Sequence, residues 1–180
     1  MRLDCGPCVI RSYREEDVGA LAPLANNPNV SRYMSDRFPY PYTHRDAHAW
    51  IARCLKPERE EDAFAIEVDG VFAGGIGFQR FAAEHRFTAE IGYWLGEPHW
   101  GKEIMNKAVR KFVCWLWEYT DFERIQAHTL AVNQSSQRVL EKAGLQRESI
   151  VRRTAFKNGE FHDCPAYALL RPRETSAATL

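Results

Sequence analysis

Hydrophobic positions follow two different periods along the chain, and these periods separate predicted strands from predicted helices. Short alternating or continuous apolar runs predict seven strands: Cys8–Arg11, Ala63–Val68, Val71–Phe78, Thr88–Leu95, Arg124–Val132, Arg147–Phe156 and Pro165–Leu170. Apolar residues three to four positions apart predict four helices, which begin near Glu15, Thr43, Ile104 and Gln134. The predicted order is one strand, two helices, three strands, a helix, a strand, a helix and two strands, which is a mixed α/β arrangement.

Turn and cap residues mark where several of these elements end. Asp69-Gly70 lies between two apolar runs and predicts a β-hairpin. Asn133 is a suitable N-cap for the last helix, and Gly144 follows its end. The helix that begins at Ile104 has the most regular apolar repeat, which continues to Leu116.

The size and composition of the chain predict one globular domain. With 180 residues, 45% of them hydrophobic and 27% charged, we expect a single domain over residues 1–173 and a loose tail over residues 174–180. Lys and Arg number 24, as do Asp and Glu, so the formal net charge is zero. A dedicated nucleic-acid-binding protein usually has a basic excess, so we expect no direct nucleic-acid partner.

The sequence also predicts a cytoplasmic location. No apolar run approaches the ~18 residues of a membrane span, and the first residues contain no apolar signal segment. The five cysteines are an odd number without a disulfide-framework spacing, which favours a reducing compartment. We therefore expect a cytoplasmic protein with no membrane partner.

Three short motifs invite functional interpretations that their surroundings do not favour. Cys5-Gly6-Pro7-Cys8 matches the thioredoxin tetrapeptide, but a strand follows it, whereas the redox motif opens a helix. His44 and His48 have the spacing of metal ligands on a helix, but Arg45 stands where a zincin has glutamate, and we expect no metal. Gly74-Gly75-Ile76-Gly77 lies within a series of strands and lacks the third glycine of a dinucleotide loop, so its small residues are expected to allow close approach of a strand or ligand.

Two later segments carry more specific information. Ile91 to Val109 reads as a strand, a short loop and a long helix, in which backbone N–H groups of the loop and helix start can bind an anion such as a diphosphate. Asn133 to Leu145 contains the pattern Asn-x-x-Ser-x-x-Val-Leu-x-Lys-x-Gly-Leu.

Together these segments make the chain resemble the GNAT superfamily of N-acetyltransferases, and within it the ribosomal-protein alanine N-acetyltransferase branch. The resemblance covers nearly the whole chain and is carried by Ile10-Arg11 with Glu15-Glu16-Asp17, Phe38-Pro39, Gly74-Gly75-Ile76-Gly77, Glu90-Ile91-Gly92-Tyr93, Trp100 to Met105, Asn133 to Leu145, and Asn158-Gly159 through His162-Asp163 to Tyr167. It implies a mostly antiparallel twisted sheet with about four flanking helices. The sheet is expected to splay between the strand that ends at Leu95 and the strand that ends at Val132.

The resemblance also implies an activity and a set of site residues. The implied reaction transfers the acetyl group of acetyl-CoA, a cosubstrate, to a primary amine by direct attack in a ternary complex. The implied cofactor-binding residues are Trp94, Leu95, Trp100, Gly101, Lys102, Glu103, Ile104, Met105, Asn133 and Ser136. In this assignment the backbone at Trp94 and Leu95 meets the pantetheine arm and thioester, and the Trp100–Met105 loop holds the diphosphate. Asn133 binds pantetheine, and Ser136 lies near the sulfur.

Glu103 departs from the family pattern, which has a central glycine at this position of the loop. Its carboxylate could face the diphosphate and oppose binding, or point outward as a favourable acid at the helix start. The first case leaves a rival class open, a non-catalytic GNAT-fold protein that binds a ligand or a partner. A redox protein based on Cys5-Gly6-Pro7-Cys8 is the third alternative.

The chemistry requires a proton acceptor and a donor for the leaving thiolate. Glu90 is the first candidate for the general base, because period-two alternation puts it on the same face as Gly92 and Trp94. Asp163 and His162 are the other candidates. Ser136 is the candidate donor to the departing sulfur.

The sequence does not identify the acceptor amine, which could be a protein or peptide N-terminus or a small-molecule amine. The aromatic segment from Tyr33 to Tyr42 is expected to border its pocket. The protein is expected to be a monomer or a homodimer.

Overall fold

A computed structural model describes residues 1–56 and 61–172, with side chains described except at positions 61 and 62. The predicted tail over residues 174–180 lies outside the described residues. In these ranges the chain forms an eight-stranded sheet with the spatial order β1-β2-β3-β4-β5-β6-β8-β7. The strands are β1 (Arg2–Asp4), β2 (Val9–Arg11), β3 (Glu61–Val68), β4 (Val71–Arg80), β5 (Thr88–Leu95), β6 (Arg124–His128), β7 (Gln146–Lys157) and β8 (Glu160–Leu170). Neighbouring strands are antiparallel except β5 and β6, which are parallel.

Helices cover both faces of this sheet. The α-helices of the described ranges are α1 (Val18–Ala25), α2 (Pro28–Ser31), α3 (His44–Cys54), α4 (Ile104–Tyr119) and α5 (Gln134–Lys142). Alternation along β3 separates two cores: Phe64 and Ile66 pack with residues of α4, whereas Ala65 packs with residues of α1 and α3. No helix in the described part of the chain is both long and apolar enough to span a membrane.

The predicted α/β architecture is confirmed, and its errors are local. All four predicted helices are present, but β1 and the four-residue helix α2 were not predicted. β6 ends at His128 rather than at Val132, because the chain turns after it and the Asn133 N–H donates to the Leu130 carbonyl. β8 begins at Glu160, five residues earlier than predicted, because the Asn158-Gly159 turn lets the hairpin with β7 pair from Lys157↔Glu160 onward.

Left-handed backbone closes the predicted hairpin between β3 and β4. Asp69 and Gly70 have φ values of 49° and 79°, which suit the two central positions of a type I′ turn. Small residues in β4 allow close packing as expected, since a Cβ on Gly74 would lie 2.4 Å from the Trp94 carbonyl oxygen of β5.

The sheet opens between its two parallel strands. β5 and β6 pair only at Thr88↔Arg124, Ala89↔Ile125 and Glu90↔Gln126. From Ile91 to Leu95, β5 remains paired with β4 but has no partner strand on the β6 side within residues 1–56 and 61–172. The predicted splay is confirmed, and it begins directly after Glu90.

Candidate active site

A cavity of about 480 Å³ lies at the opening between β5 and β6. Its lining includes the aromatic side chains Tyr33, Phe38, Tyr42, Trp50 and Trp94 and the polar side chains Glu90, His128, Asn133 and Ser136. The rings of Phe38 and Trp94 are 5.5 Å apart, so the segment before α3 packs against the open part of β5. Three rings of the aromatic segment that was expected to border a pocket, those of Tyr33, Phe38 and Tyr42, therefore line this cavity, whereas Tyr40 does not.

Glu90 is the last residue of β5 that is paired with β6, and its carboxylate lies on the cavity. Its Oε2 atom is 3.4 Å from Nδ1 of His128 and accepts a hydrogen bond from Nε2 of Gln126 at 3.1 Å. The interaction with His128 is the main cause that lowers the pKa of Glu90, against the effect of partial burial. The same carboxylate raises the pKa of His128 above its usual 6.5.

Sequence reasoning missed His128, although a signal for it exists. Gln126 pairs with Glu90, so His128 lies two residues farther along β6 and on the same face of the sheet. This signal can be used only when the register between β5 and β6 is known. The long helix α4 separates these strands in the sequence, so the predicted strands alone do not give that register.

Ser136 lies on the opposite side of the opening from Glu90, in the first turn of α5. Its Oγ atom is 2.9 Å from the Tyr93 hydroxyl, which also donates to the Ser136 carbonyl at 3.2 Å. Burial raises the pKa of Tyr93, so this phenol stays protonated near neutral pH. Tyr93 is the second site residue that was not predicted from the sequence. It lies three residues after Glu90 on β5, so its side chain is on the opposite face of the sheet, where it contacts α5.

Asn133 caps α5 and faces the cavity with the rest of its side chain. Its Oδ1 atom accepts from the backbone N–H of Ser136 at 3.2 Å. Among the described residues, Nδ2 of Asn133 has no hydrogen-bond acceptor in the protein. The same side chain thus stabilises the helix start and presents a donor at the opening of the sheet.

The loop before α4 has the backbone geometry of an anion site. Gly101 and Glu103 are left-handed, with φ values of 74° and 59°, and α4 begins directly afterwards. Within the described ranges, the backbone N–H groups from Gly101 to Asn106 have no protein acceptor, and the first N–H bonded into the helix is that of Lys107. Alternating backbone conformations that collect free N–H groups at a helix start favour negative charge.

Side chains of the loop hold it to its neighbours. Trp100 donates from Nε1 to the Leu95 carbonyl at 2.7 Å, which fixes the loop to the end of β5. Lys102 donates from Nζ to the Pro98 carbonyl at 3.0 Å. Ile104 and Met105 are buried under the first turn of α4. The part of the loop whose geometry suits an anion is therefore its backbone, rather than these side chains.

The Glu103 side chain is exposed, and its carboxylate makes no capping hydrogen bond to the start of α4. Its carboxylate accepts from Nζ of Lys142 at 2.9 Å and from Nδ2 of Asn106 at 2.7 Å. The hydrogen bond from Lys142 is the main cause that lowers the pKa of Glu103. Of the two orientations considered for this residue, the structure has the outward one.

The other candidate groups lie away from the cavity. Asp163 accepts from the Arg153 N–H and His162 contacts the Lys157 carbonyl, both within the β7–β8 hairpin. Cys5-Gly6-Pro7-Cys8 forms the turn between β1 and β2 instead of a helix start.

Within residues 1–56 and 61–172, no group of three or more His, Cys, Asp or Glu residues is arranged to hold a metal ion.

Comparisons with known proteins identify the family of this chain. A family model described as an acetyltransferase (GNAT) domain matches residues 8–146. The chain is 27% identical over 174 residues to the uncharacterised N-acetyltransferase YoaA of Bacillus subtilis (strain 168), covering 96% of this chain and 98% of the relative. It is 30% identical over 169 residues to the uncharacterised N-acetyltransferase p20 of Bacillus licheniformis, covering 90% and 92%.

Solved structures share the fold at lower identity. RimL, a ribosomal alpha-N-protein acetyltransferase in complex with coenzyme A, superposes with a TM-score of 0.84 over 94% of this chain and 98% of that one. The two sequences are 22% identical, so this comparison establishes the common fold.

Proposed function

Because the chain belongs to the GNAT acetyltransferase family and is an acetyl-CoA-dependent N-acetyltransferase, we propose that it acetylates a primary amine by direct attack in a ternary complex. The observation that carries this proposal is the opening of the sheet after Glu90, which leads into a cavity with polar groups on both sides. In this proposal the acceptor amine binds in the aromatic part of the cavity, and the thioester lies where β5 and β6 separate.

The open edge of β5 is suited to the pantetheine arm. In the part of the chain that the structure describes, its residues from Ile91 to Leu95 pair with no strand on the β6 side, so an extended arm with amide groups can run beside them. Nδ2 of Asn133 supplies a hydrogen-bond donor to that arm. Trp94 contributes backbone near the thioester, whereas the Leu95 carbonyl already accepts from Trp100.

The loop from Trp100 to Met105 is suited to the diphosphate. Its backbone N–H groups and the start of α4 favour negative charge, whereas the ammonium group of Lys102 donates to the Pro98 carbonyl. The Glu103 carboxylate is bound by Lys142 and Asn106 on the exposed side of the loop. Glu103 therefore does not support the rival interpretation of an impaired, non-catalytic protein.

The two sides of the opening have complementary chemical roles. Acetyl-CoA supplies the activated acetyl group, and the protein has to move protons. Glu90, with its partner His128, forms the proton-accepting side, because the amine has to be neutral to attack. Ser136, hydrogen-bonded to Tyr93, forms the donating side next to the departing sulfur, whose basicity is near that of a free thiol with a pKa of about 8.5.

A protein or peptide N-terminus is the acceptor class that the relatives favour. RimL, which shares the fold over almost the whole chain, is a ribosomal alpha-N-protein acetyltransferase. An α-amino group has a pKa of about 7.7–8.0, so a weak base suffices to deprotonate it near neutral pH. Small-molecule amines form the second acceptor class to be tested.

An amine panel with acetyl-CoA tests this proposal. Peptides that begin with Ala or Ser, the same peptides with blocked N-termini and an internal Lys, and spermidine are each incubated with enzyme and acetyl-CoA. Mass spectrometry is expected to find one acetyl group on the free N-termini, with equimolar release of CoA thiol. Acetyl-CoA binding without acetylation of any amine would instead support a non-catalytic binding protein.

A further inference from the structure

We propose that His128 is the group that receives the proton from the acceptor ammonium, and that Glu90 is the positioning residue that holds its imidazole. This inference rests on the proposed function and assigns roles within the same site. Glu90 and His128 stand on the two strands that separate at the opening, and both side chains lie on the cavity. They are the only carboxylate–imidazole pair with both side chains on that cavity in the described residues.

The orientation of the imidazole assigns a role to each of its nitrogens. Nδ1 of His128 lies 3.4 Å from Oε2 of Glu90, so the carboxylate favours a proton on Nδ1. In the neutral ring Nε2 then carries the lone pair. Gln126 donates to the same Oε2 at 3.1 Å and keeps the carboxylate in place. The arrangement leaves Nε2 as the proton acceptor.

The acid–base properties of the two groups favour the imidazole over the carboxylate. A carboxylate whose pKa is lowered by its partner is a weaker base towards an ammonium group. The imidazole pKa is raised towards that of an α-amino group, which reduces the cost of proton transfer. Among the described residues, Arg37 and Arg53 are the other charged side chains that line this cavity. Arg124 on β6, which pairs with Glu148, also acts on the His128 ring.

The proton and electron balance is complete without a further reactant. The acceptor ammonium gives one proton to Nε2 of His128, and the lone pair that this frees on nitrogen forms the C–N bond to the acetyl carbon. The C–S bond breaks, and its electron pair leaves with the sulfur of CoA. The nitrogen loses a second proton, which the sulfur receives by way of the Ser136 hydroxyl, and His128 returns its proton to solvent.

Three variants separate the roles. His128→Gln removes the titratable ring, and Glu90→Gln keeps the side-chain shape without the charge. Asp163→Asn is the matched control, since Asp163 is another carboxylate that binds a backbone N–H outside the cavity. For each variant we measure kcat/KM against pH with the most rapidly acetylated amine of the panel, acetyl-CoA affinity, and the pKa of His128 by NMR titration of its ring.

The expected results differ between the variants. His128→Gln lowers kcat/KM at pH 7 by about 10²–10⁴-fold and abolishes the rising limb that coincides with the NMR pKa. Glu90→Gln moves both the limb and the NMR pKa of His128 to lower pH and lowers the plateau, which a merely structural residue would not do. Asp163→Asn retains the wild-type profile, and all variants retain acetyl-CoA affinity.

Two results would overturn the assignment of His128, and only the second would also contradict the proposed acetyltransferase function. A His128→Gln enzyme with the wild-type rate and pH limb excludes His128 while the acetyltransferase proposal stands. A wild-type protein that acetylates no amine of the panel removes both proposals together.

Discussion

Lys142 at the end of α5 donates a hydrogen bond from Nζ to the Glu103 carboxylate at 2.9 Å, and so links the last turn of one helix to the residue before the first turn of another. The backbone of Glu103 has a φ of 59°, the left-handed conformation that glycine adopts most easily. The chain therefore keeps the loop conformation of a glycine while its carboxylate is bound on the exposed side. This relationship explains how an acidic residue is compatible with the proposed role of the loop in diphosphate binding.

Glu103→Gly is expected to leave acetyl-CoA affinity nearly unchanged. The dissociation constant should stay within about threefold, less than about 0.7 kcal/mol, because the carboxylate is bound by Lys142 and Asn106 rather than by the loop backbone that we propose for the diphosphate. Relief of the left-handed strain, about 1–2 kcal/mol, should offset the lost exposed ion pair, so stability should be equal or slightly higher. Calorimetric titration at two salt concentrations and thermal unfolding measure both quantities. Tightening of tenfold or more that shrinks in high salt would show that the carboxylate faces the ligand.

Asn133 is expected to have two separable roles. Asn133→Asp keeps the Oδ1 cap of α5 but loses the Nδ2 donor, so acetyl-CoA binding should weaken by about 1 kcal/mol, roughly fivefold, with little change in Tm. Asn133→Ala loses both groups and should lower Tm as well. Affinity and thermal unfolding of the two variants are compared with those of the wild type. If both variants bind acetyl-CoA as the wild type does, the residue is only a helix cap.

The buried Arg11–Asp17 pair is expected to dominate the polar contribution to stability. Two nitrogens of Arg11 donate to the two oxygens of Asp17 at 2.8 and 2.7 Å, Arg11 also pairs with Glu67, and the Arg11 and Asp17 side chains are 4% and 3% exposed. Asp17→Ala should lower the free energy of unfolding by about 3–5 kcal/mol, because it leaves a buried guanidinium with one partner fewer. Glu16→Gln, on the exposed neighbour, is the control for denaturant unfolding. Equal effects of the two changes would contradict the assignment.

Stability is expected to depend on pH through Glu90 and His128. The raised pKa of His128 stabilises the folded protein below about pH 6.5, and this contribution disappears as pH rises through the folded-state value. The lowered pKa of Glu90 stabilises it above about pH 4.5, and this contribution disappears as pH falls through its folded-state value. The Tm difference between wild type and His128→Gln should therefore be largest between these two pH values. A difference that is constant with pH would mean that the pair does not form.

Local sequence patterns predicted most of the helices and strands but not the contacts between side chains within the candidate site. The apolar repeat of α4 and the Asp69-Gly70 hairpin are local signals, and both elements are where they were expected. β1 has only three residues, too few to establish a period. The Glu90–His128 and Tyr93–Ser136 contacts depend on how β5 meets β6 and α5, which are distant in sequence. Such contacts depend on the register between strands and on the packing of helices against them, and neither can be read from a single sequence.

Hydrogen exchange of the backbone amides, followed by NMR with and without acetyl-CoA, tests the central claim most directly. We expect acetyl-CoA to slow exchange at the loop amides from Gly101 to Asn106 and along β5 after Glu90. Amides of the β7–β8 hairpin should be unaffected and serve as an internal control. Protection absent from both the loop and the open edge of β5, or confined to another part of the chain, would contradict the binding of acetyl-CoA in the opening between β5 and β6.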